Sequence, residues 1–123
     1  EWEYAARGGV GARFPTGPVL QLEDANFDDP GGGADRVGRY AANGFGLSDM
    51  AGNLWEWVAD CGAFYSASGA GSGPVTATPC LRVLRGGGFR STAHELRSAN
   101  RYFHRSDTAR DDFGLRVAAD VQR

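Results

Sequence analysis

The chain lacks most of the residue patterns on which catalytic and anchoring functions are built. It has two cysteines, Cys61 and Cys80, and two histidines, His94 and His104. No Cys-x-x-Cys pair and no Cys/His cluster with zinc spacing occurs, which excludes the common structural zinc sites. No G-x-S-x-G elbow supports a Ser/His/Asp hydrolase. The glycine turn Gly86-Gly87-Gly88 is followed by neither a helix signal nor a Lys-Ser/Thr pair, so it does not read as a phosphate cradle. No apolar run approaches the roughly 18 residues of a membrane-spanning helix. Thirteen basic residues against fifteen acidic ones give a net charge of −2. That balance carries no electrostatic footprint for nucleic acid or an anionic membrane. The two cysteines leave two readings open, a disulfide around Gly62–Pro79 or two free thiols, because pairing is not fixed by spacing.

Glycine is abundant: 19 residues of 123, with five prolines. Hydrophobic content of 41% and a mean hydropathy of −0.39 describe one domain with one core. The composition favours a loop-rich fold over a helical one. Glu1–Arg7 reads as a helix end with Trp2, Ala5 and Ala6 inward, stopped by Gly8-Gly9. Gly11–Gln21 reads as extended loop. Asn26–Asp29, followed by Pro30 and Gly31–Gly33, is an acidic turn that composition alone makes a solvated Asx-rich loop. Leu54–Val58, Leu81–Leu84 and Phe113–Ala119 read as strands, and Ala63–Pro79 as a low-complexity surface loop.

The stretch Gly38–Asp60 organises the chain. Asn43-Gly44 and Gly46 mark a tight turn. Asp49 and Glu56 then lie among Phe45, Leu54, Trp55 and Trp57, with Gly52 and Asn53 between them. Carboxylates among large aromatics are costly to bury unless something pairs with them. A cation, an arginine or backbone amides could do so. Further on, Phe89–Asp112 mixes aromatic, basic and hydroxyl residues with neither helical nor strand periodicity. Taken from its residues alone it is an exposed loop.

Four stretches together resemble the formylglycine-generating-enzyme-like family, also called the sulfatase-modifying-factor domain. They are Glu1–Gly9 (EWEYAARGG), Ala25–Phe27 (ANF), the segment GFGLSDMAGNLWEWVAD, and Arg82–Val117, which is similar to the family's ending R-V-x-R-G-G-S-[WF] … R-S-A-x-R … P-D … G-F-R. The resemblance implies an α+β, C-type-lectin-like fold with small mixed sheets, few helices and much loop. It also implies that the family's usual N-terminal part is not in this chain; a further chain or segment that supplies it is one reading, and its removal another. Phe14-Pro15-Thr16-Gly17 stands where relatives often have Y-P-W-G, and Leu115 replaces the Phe of G-F-R.

Two structural calcium sites follow from the resemblance. One set is the Asn26 and Asp29 side chains (or Asp28 in place of Asp29) with the Phe27 and Gly31 carbonyls. The other is the Asp49 and Glu56 side chains with the Gly52 and Leu54 carbonyls. Mixed carboxylate and carbonyl oxygens suit calcium. Catalytic members oxidise a substrate cysteine with a thiol pair that binds copper, placed after the R-G-G-S turn. Gly88–Arg101 contains no cysteine here, so neither copper nor that activity is carried over.

What remains is recognition. Some relatives are variable proteins of diversity-generating retroelements, whose endings alternate fixed and randomised positions. The run LRGG-GF-RST-A-HE-LRSANR-YFHR-SD has the same spacing. The corresponding positions are Arg90, Ser91, Thr92, His94, Glu95, Tyr102, Phe103, His104, Arg105, Thr108, Arg110, Asp111 and Asp112. The expectation is a non-catalytic domain binding a protein or small ligand through residues 90–112. An enzyme with relocated thiols and a structural module of a larger assembly are the alternatives.

Overall fold

In a computed structural model the chain is described over residues 1–62 and 80–121; the expected surface loop Ala63–Pro79 lies outside these. The elements are a short helix α1 (Trp2–Arg7), strands β1 (Trp55–Cys61) and β2 (Arg82–Arg85), one turn of 3-10 helix (Ala93–Leu96), and strands β3 (Tyr102–His104) and β4 (Phe113–Leu115). The strands form one mixed sheet in the order β3-β2-β1-β4. The β1–β2 and β2–β3 pairs are antiparallel, whereas β4 runs parallel to β1 with Trp55 opposite Phe113 and Trp57 opposite Leu115. Few helices, a small mixed sheet and long irregular connections make this the loop-rich α+β fold that the sequence implied.

The boundaries differ from the sequence reading in instructive ways. α1 ends where expected, at a left-handed Gly8 (φ 57°), but its fully buried residue is Ala6 rather than Trp2. The closing strand is shorter, Phe113–Leu115 instead of Phe113–Ala119. Beyond Leu115 the chain has no partner strand on its outer side among the described residues, and Val117 is exposed. β3 was not legible, because three residues are too few to show a period of two. Its pairing comes from the register with β2, Leu84 opposite Tyr102 and Arg82 opposite His104.

The core lies between the loops and the sheet. Phe14, Ala25, Phe27, Ala51 and Leu96 form one cluster, and Leu84, Val83 and Phe89 are almost fully buried. Loops are held there by side chains that replace a regular ladder, which is how buried backbone groups find partners outside strands and helices. Asn43 accepts from the Phe45 and Leu47 amides and donates to the Ala5 and Ala6 carbonyls, tying the turn at 43–46 to α1. Cys61 and Cys80 are joined by a disulfide, with Cα atoms 5.6 Å apart; it links the end of β1 to the start of β2.

Candidate ligand-binding surface

The dense stretch before β1 is scaffolding for this surface. Asp49 and Asn53 both take left-handed backbone conformations (φ 58° and 67°), which short hydrogen-bonding side chains tolerate better than others. Asp49 Oδ2 accepts from the Gly38 amide at 2.6 Å. Asn53 Oδ1 accepts from the Asp35 amide and from Asn26, and its own amide group donates to the Asp35 carbonyl. Gly52 is required: a Cβ there would lie 2.4 Å from the Asn26 carbonyl oxygen.

Glu56 is almost fully buried, and the group that neutralises it is Arg116. The guanidinium donates to both carboxylate oxygens (2.8 and 3.1 Å) and to the Ser48 carbonyl (2.9 Å), while Trp2 Nε1 donates to Oε2 at 2.6 Å. An arginine was one of the three partners open from the sequence, and Arg116 takes that place. A cleft of about 360 Å³ lies here, with Asp49, Gly52, Leu54 and Glu56 among its lining together with Arg116. The second candidate calcium set therefore does converge on one cleft. Glu56, however, is committed to Arg116 and Trp2, so these residues as they stand do not fit a cation; one there would have to share the carboxylate with a guanidinium.

The first set sits differently. The amides of Asp28 and Asp29 donate to the carbonyls of Ser91 and Phe89, both at 2.9 Å. The acidic turn is thus fastened directly to the segment that follows β2. Asn26 is buried and donates to the Gly33 carbonyl, and the Asp29 carboxylate folds back over Gly32, where a Cβ would clash with it. No Asp, Glu, His or Cys cluster of three forms among the described residues, so any cation at this turn would depend on amide and carbonyl oxygens as much as on carboxylates, a donor set that calcium accepts.

The segment after β2 is rigid by construction. Gly86 and Gly87 are left-handed (φ 91° and 77°), and a Cβ on Gly87 would meet Leu96 at 2.5 Å. Leu96 is fully buried and pins the 3-10 turn. Thr92 and Glu95 close a capping box at its start. Arg85 donates to the Ser98 and Asn100 carbonyls (3.2 and 2.9 Å) and to Glu3 (3.1 Å). Burial works to raise the Glu3 carboxyl, but hydrogen bonds from Arg7 and Arg85 outweigh it and hold that group below its ordinary range.

On this frame the sequence-derived positions separate. Ser91 and Asp112 point inward: Ser91 is 5% and Asp112 4% exposed. Ser91 Oγ accepts from the Gly88 amide, and the Asp112 carboxylate lies 3.1 Å from Arg110. Both pack against the frame: Ser91 through the tight turn at 88–91, and Asp112 through its carbonyl, which accepts from the Trp55 amide. Arg90, Thr92, His94, Tyr102, Phe103, Arg105, Arg110 and Asp111 are exposed, with Glu95, His104 and Thr108 half-buried. Tyr102 and His104 project from one face of β3 into a run of rings: Trp55 to Tyr102 (5.2 Å), Tyr102 to His104 (6.0 Å), His104 to Phe113 (5.6 Å) and Phe113 to Trp57 (5.4 Å). Phe103 projects from the other face beneath Arg101. Trp57 and Phe113 were missed from the sequence. Their signal was the i, i+2 spacing of Trp55 and Trp57 on a strand, but only the β1–β4 register shows that Phe113 joins them.

Two of the exposed arginines of this segment are paired within the chain. Arg90 forms a two-pronged pair with Asp111 (2.7 Å for each bond), and Arg105 another with Asp107. The Arg90 and Arg105 hydrogen bonds hold Asp111 and Asp107, respectively, below the usual carboxylate range.

The chain belongs to the family described as the sulfatase-modifying factor enzyme 1-like domain, which it matches over residues 1–121. It is 37% identical over 127 residues to the serine/threonine-protein kinase Pkn1 of Chlamydia trachomatis serovar L2, covering 99% of this chain and 20% of that protein. It is 34% identical over 156 residues to the formylglycine-generating enzyme of Mycobacterium tuberculosis, covering 98% of this chain and 49% of the enzyme. Among solved structures it is similar to Treponema denticola variable protein 1, with a TM-score of 0.79 and 28% identity over 94% of this chain and 43% of that one. The chain thus spans half or less of the length of these relatives.

Proposed function

We propose that this chain is a non-catalytic ligand-binding domain that engages a protein or small ligand through the surface of residues 90–112. The observation that carries this is the segment Gly88–Arg101. Its framework is intact, with Leu96 and Ser98 buried and Arg85 fastened to its carbonyls, yet it holds no cysteine, and Cys61 and Cys80 are bonded to each other elsewhere. Thiolate chemistry needs a free, accessible thiol. Incubation with a Cys-x-Pro-x-Arg peptide should leave its cysteine unchanged by mass spectrometry. Conversion to the aldehyde would show that the domain is an enzyme.

The partition between buried and exposed positions fits diversification. The fixed run Leu96–Arg101 supplies buried anchors, and most of the candidate variable positions are exposed. The likeness to a protein named as a variable protein supports the same reading. Sequencing the DNA for Gly86–Val117 across a population of the source organism tests it. Variation at the exposed positions with Leu96–Arg101 constant is the expected pattern; a uniform sequence refutes diversification and leaves a single-ligand domain.

Calcium at Asn26, Phe27, Asp29 and Gly31 would brace this surface, since the turn is hydrogen-bonded to Phe89 and Ser91. A cation held only by the native state adds stability. Chelation should therefore lower the melting temperature, and an unchanged melting curve argues against the site.

A further inference from the structure

We propose that the Cys61–Cys80 disulfide is a redox-sensitive clamp on the far end of β3, and that a dithiol reductant releases Phe103, His104 and Arg105 while the glycine turn and the 3-10 turn keep their places. That these three residues belong to a binding surface rests on the reading of residues 90–112 above; the clamp itself does not. The first ground is the ladder between β1 and β2. Trp57 stands opposite Leu84 and Cys61 opposite Arg82, so Val58, Ala59 and Asp60 correspond to the single residue Val83. Pairing is regular at Glu56 and Trp57 and irregular beyond them. A bulge leaves residues unpaired and disrupts the ladder locally. The covalent bond therefore supplies at this end what the ladder supplies at the other.

The second ground is that β3 is built on this end. His104 pairs with Arg82 and Phe103 with Val83. The Phe103 ring also rests on the backbone beside Cys61: a Cβ on Gly62 would lie 2.6 Å from its Cδ1. Hydrogen bonds here include the Gly62 amide to the Leu81 carbonyl (2.7 Å) and Arg82 Nη1 to the Ala59 carbonyl (2.6 Å). Gly62 and Leu81 are exposed, and hydrogen bonds at exposed backbone open at low cost. The near end of β3 is held differently. Tyr102 pairs with fully buried Leu84 and packs on buried Trp55 at 5.2 Å. Behind it, the Gly52 amide donates to the Gly86 carbonyl and the Phe89 amide to the Asn53 carbonyl. The boundary between the secured end and the clamped end falls between Leu84 and Arg82.

The bond is open to exchange from one side. Cys61 is 3% exposed, whereas Cys80 is partly exposed. A thiolate of the reductant attacks Cys80 Sγ, and the electron pair of the S–S bond leaves on Cys61 Sγ, which takes a proton. The second thiolate of the reductant then attacks the reductant's own sulfur in the mixed disulfide. Cys80 leaves as a thiolate and is protonated. Two electrons and two protons have then passed to the protein, and the dithiol has become a cyclic disulfide. Freed from each other, the end of β1 and the start of β2 separate, and Phe103 loses the backbone against which it rests.

The test is hydrogen exchange followed by NMR on the intact chain, with and without dithiothreitol, and again in Cys61→Ser/Cys80→Ser. With reductant, the amides of Gly62, Phe103 and His104 should exchange about tenfold or more faster, and the shifts of 103–105 should move toward random-coil values. The amides of Gly52, Asn53, Trp55 and Phe89 should stay within about twofold. The serine variant should match the reduced protein and ignore dithiothreitol; should it fail to fold, the reduced unsubstituted chain decides alone. Equal acceleration of both sets would show that the bond holds the whole fold, and would overturn the clamp. Unchanged exchange and unchanged shifts at 103–105 would overturn it as well. No ligand enters the measurement, so the clamp and the binding reading can fail separately.

Discussion

Removing the Arg116 guanidinium exposes how this fold tolerates a carboxylate beneath its tryptophans. Glu56 is 7% exposed. Its oxygens accept from Arg116 Nε and Nη2 and from Trp2 Nε1. In Arg116→Ala the carboxylate keeps only the indole. Removing one partner of a buried ion pair costs about 3–5 kcal/mol, because the remaining charge has lost its compensation. Arg116 is itself a third exposed (33%), so water can enter the space it leaves, and the loss falls to the lower end of that range or just below it, about 2–3 kcal/mol. For a domain of this size that lowers the melting temperature by roughly 6–15 °C. Glu56→Gln removes the charge but keeps an acceptor for Trp2, and should cost less, about 1 kcal/mol. The double variant should cost less than the sum of the two. Urea unfolding with matched slopes measures all three. A loss below about 0.5 kcal/mol for Arg116→Ala, or a larger loss for Glu56→Gln than for Arg116→Ala, refutes the argument that the arginine compensates the buried charge. The same variant probes the second calcium set, since recovery of its stability on adding calcium would show a cation taking the place of the guanidinium.

Reducing the Cys61–Cys80 bond should lower stability by about 3 kcal/mol in the chain-entropy account of a loop of this length, read as a shift in the urea midpoint with and without reductant. Gly87→Ala should cost about 2–4 kcal/mol, because it combines a left-handed backbone with a Cβ at 2.5 Å from Leu96; binding through residues 90–112 should weaken with it. Acid should destabilise the fold through Glu3. Its carboxyl is lowered in the native state, so its contribution is present above the ordinary value of 4.5 and is lost as pH falls through the native value. Glu3→Gln should flatten the acid limb of a stability-versus-pH curve, and an unchanged limb would show that the Arg7 and Arg85 bonds carry no stability.

The sequence by itself determined the family and the architecture. Its glycines, its few helix signals and the segment GFGLSDMAGNLWEWVAD all require an irregular backbone braced by particular side chains. Asp49, Gly52 and Asn53 are short or absent side chains where the chain turns left-handed, and that demand is local enough to be read from residue type. The same holds for Gly8 at the end of α1 and for the missing cysteines of Gly88–Arg101.

Only the tertiary structure decided which partner each demanding residue finds. Glu56 is neutralised by Arg116 across a separation of 60 residues, and Arg85 by Glu3 across 82; long-range pairs of this kind leave no periodic trace. Strand register, likewise, turned a list of exposed-looking positions into a surface. Pairing of β1 with β4 brings Phe113 beside Trp57, pairing of β2 with β3 brings Tyr102 to Trp55, the glycine turn places Ser91 inside, and the Trp55 amide holds the buried Asp112 by its carbonyl. Residue types set what each position could do, and the packing of β1, β2, β3 and β4 set which of them face outward.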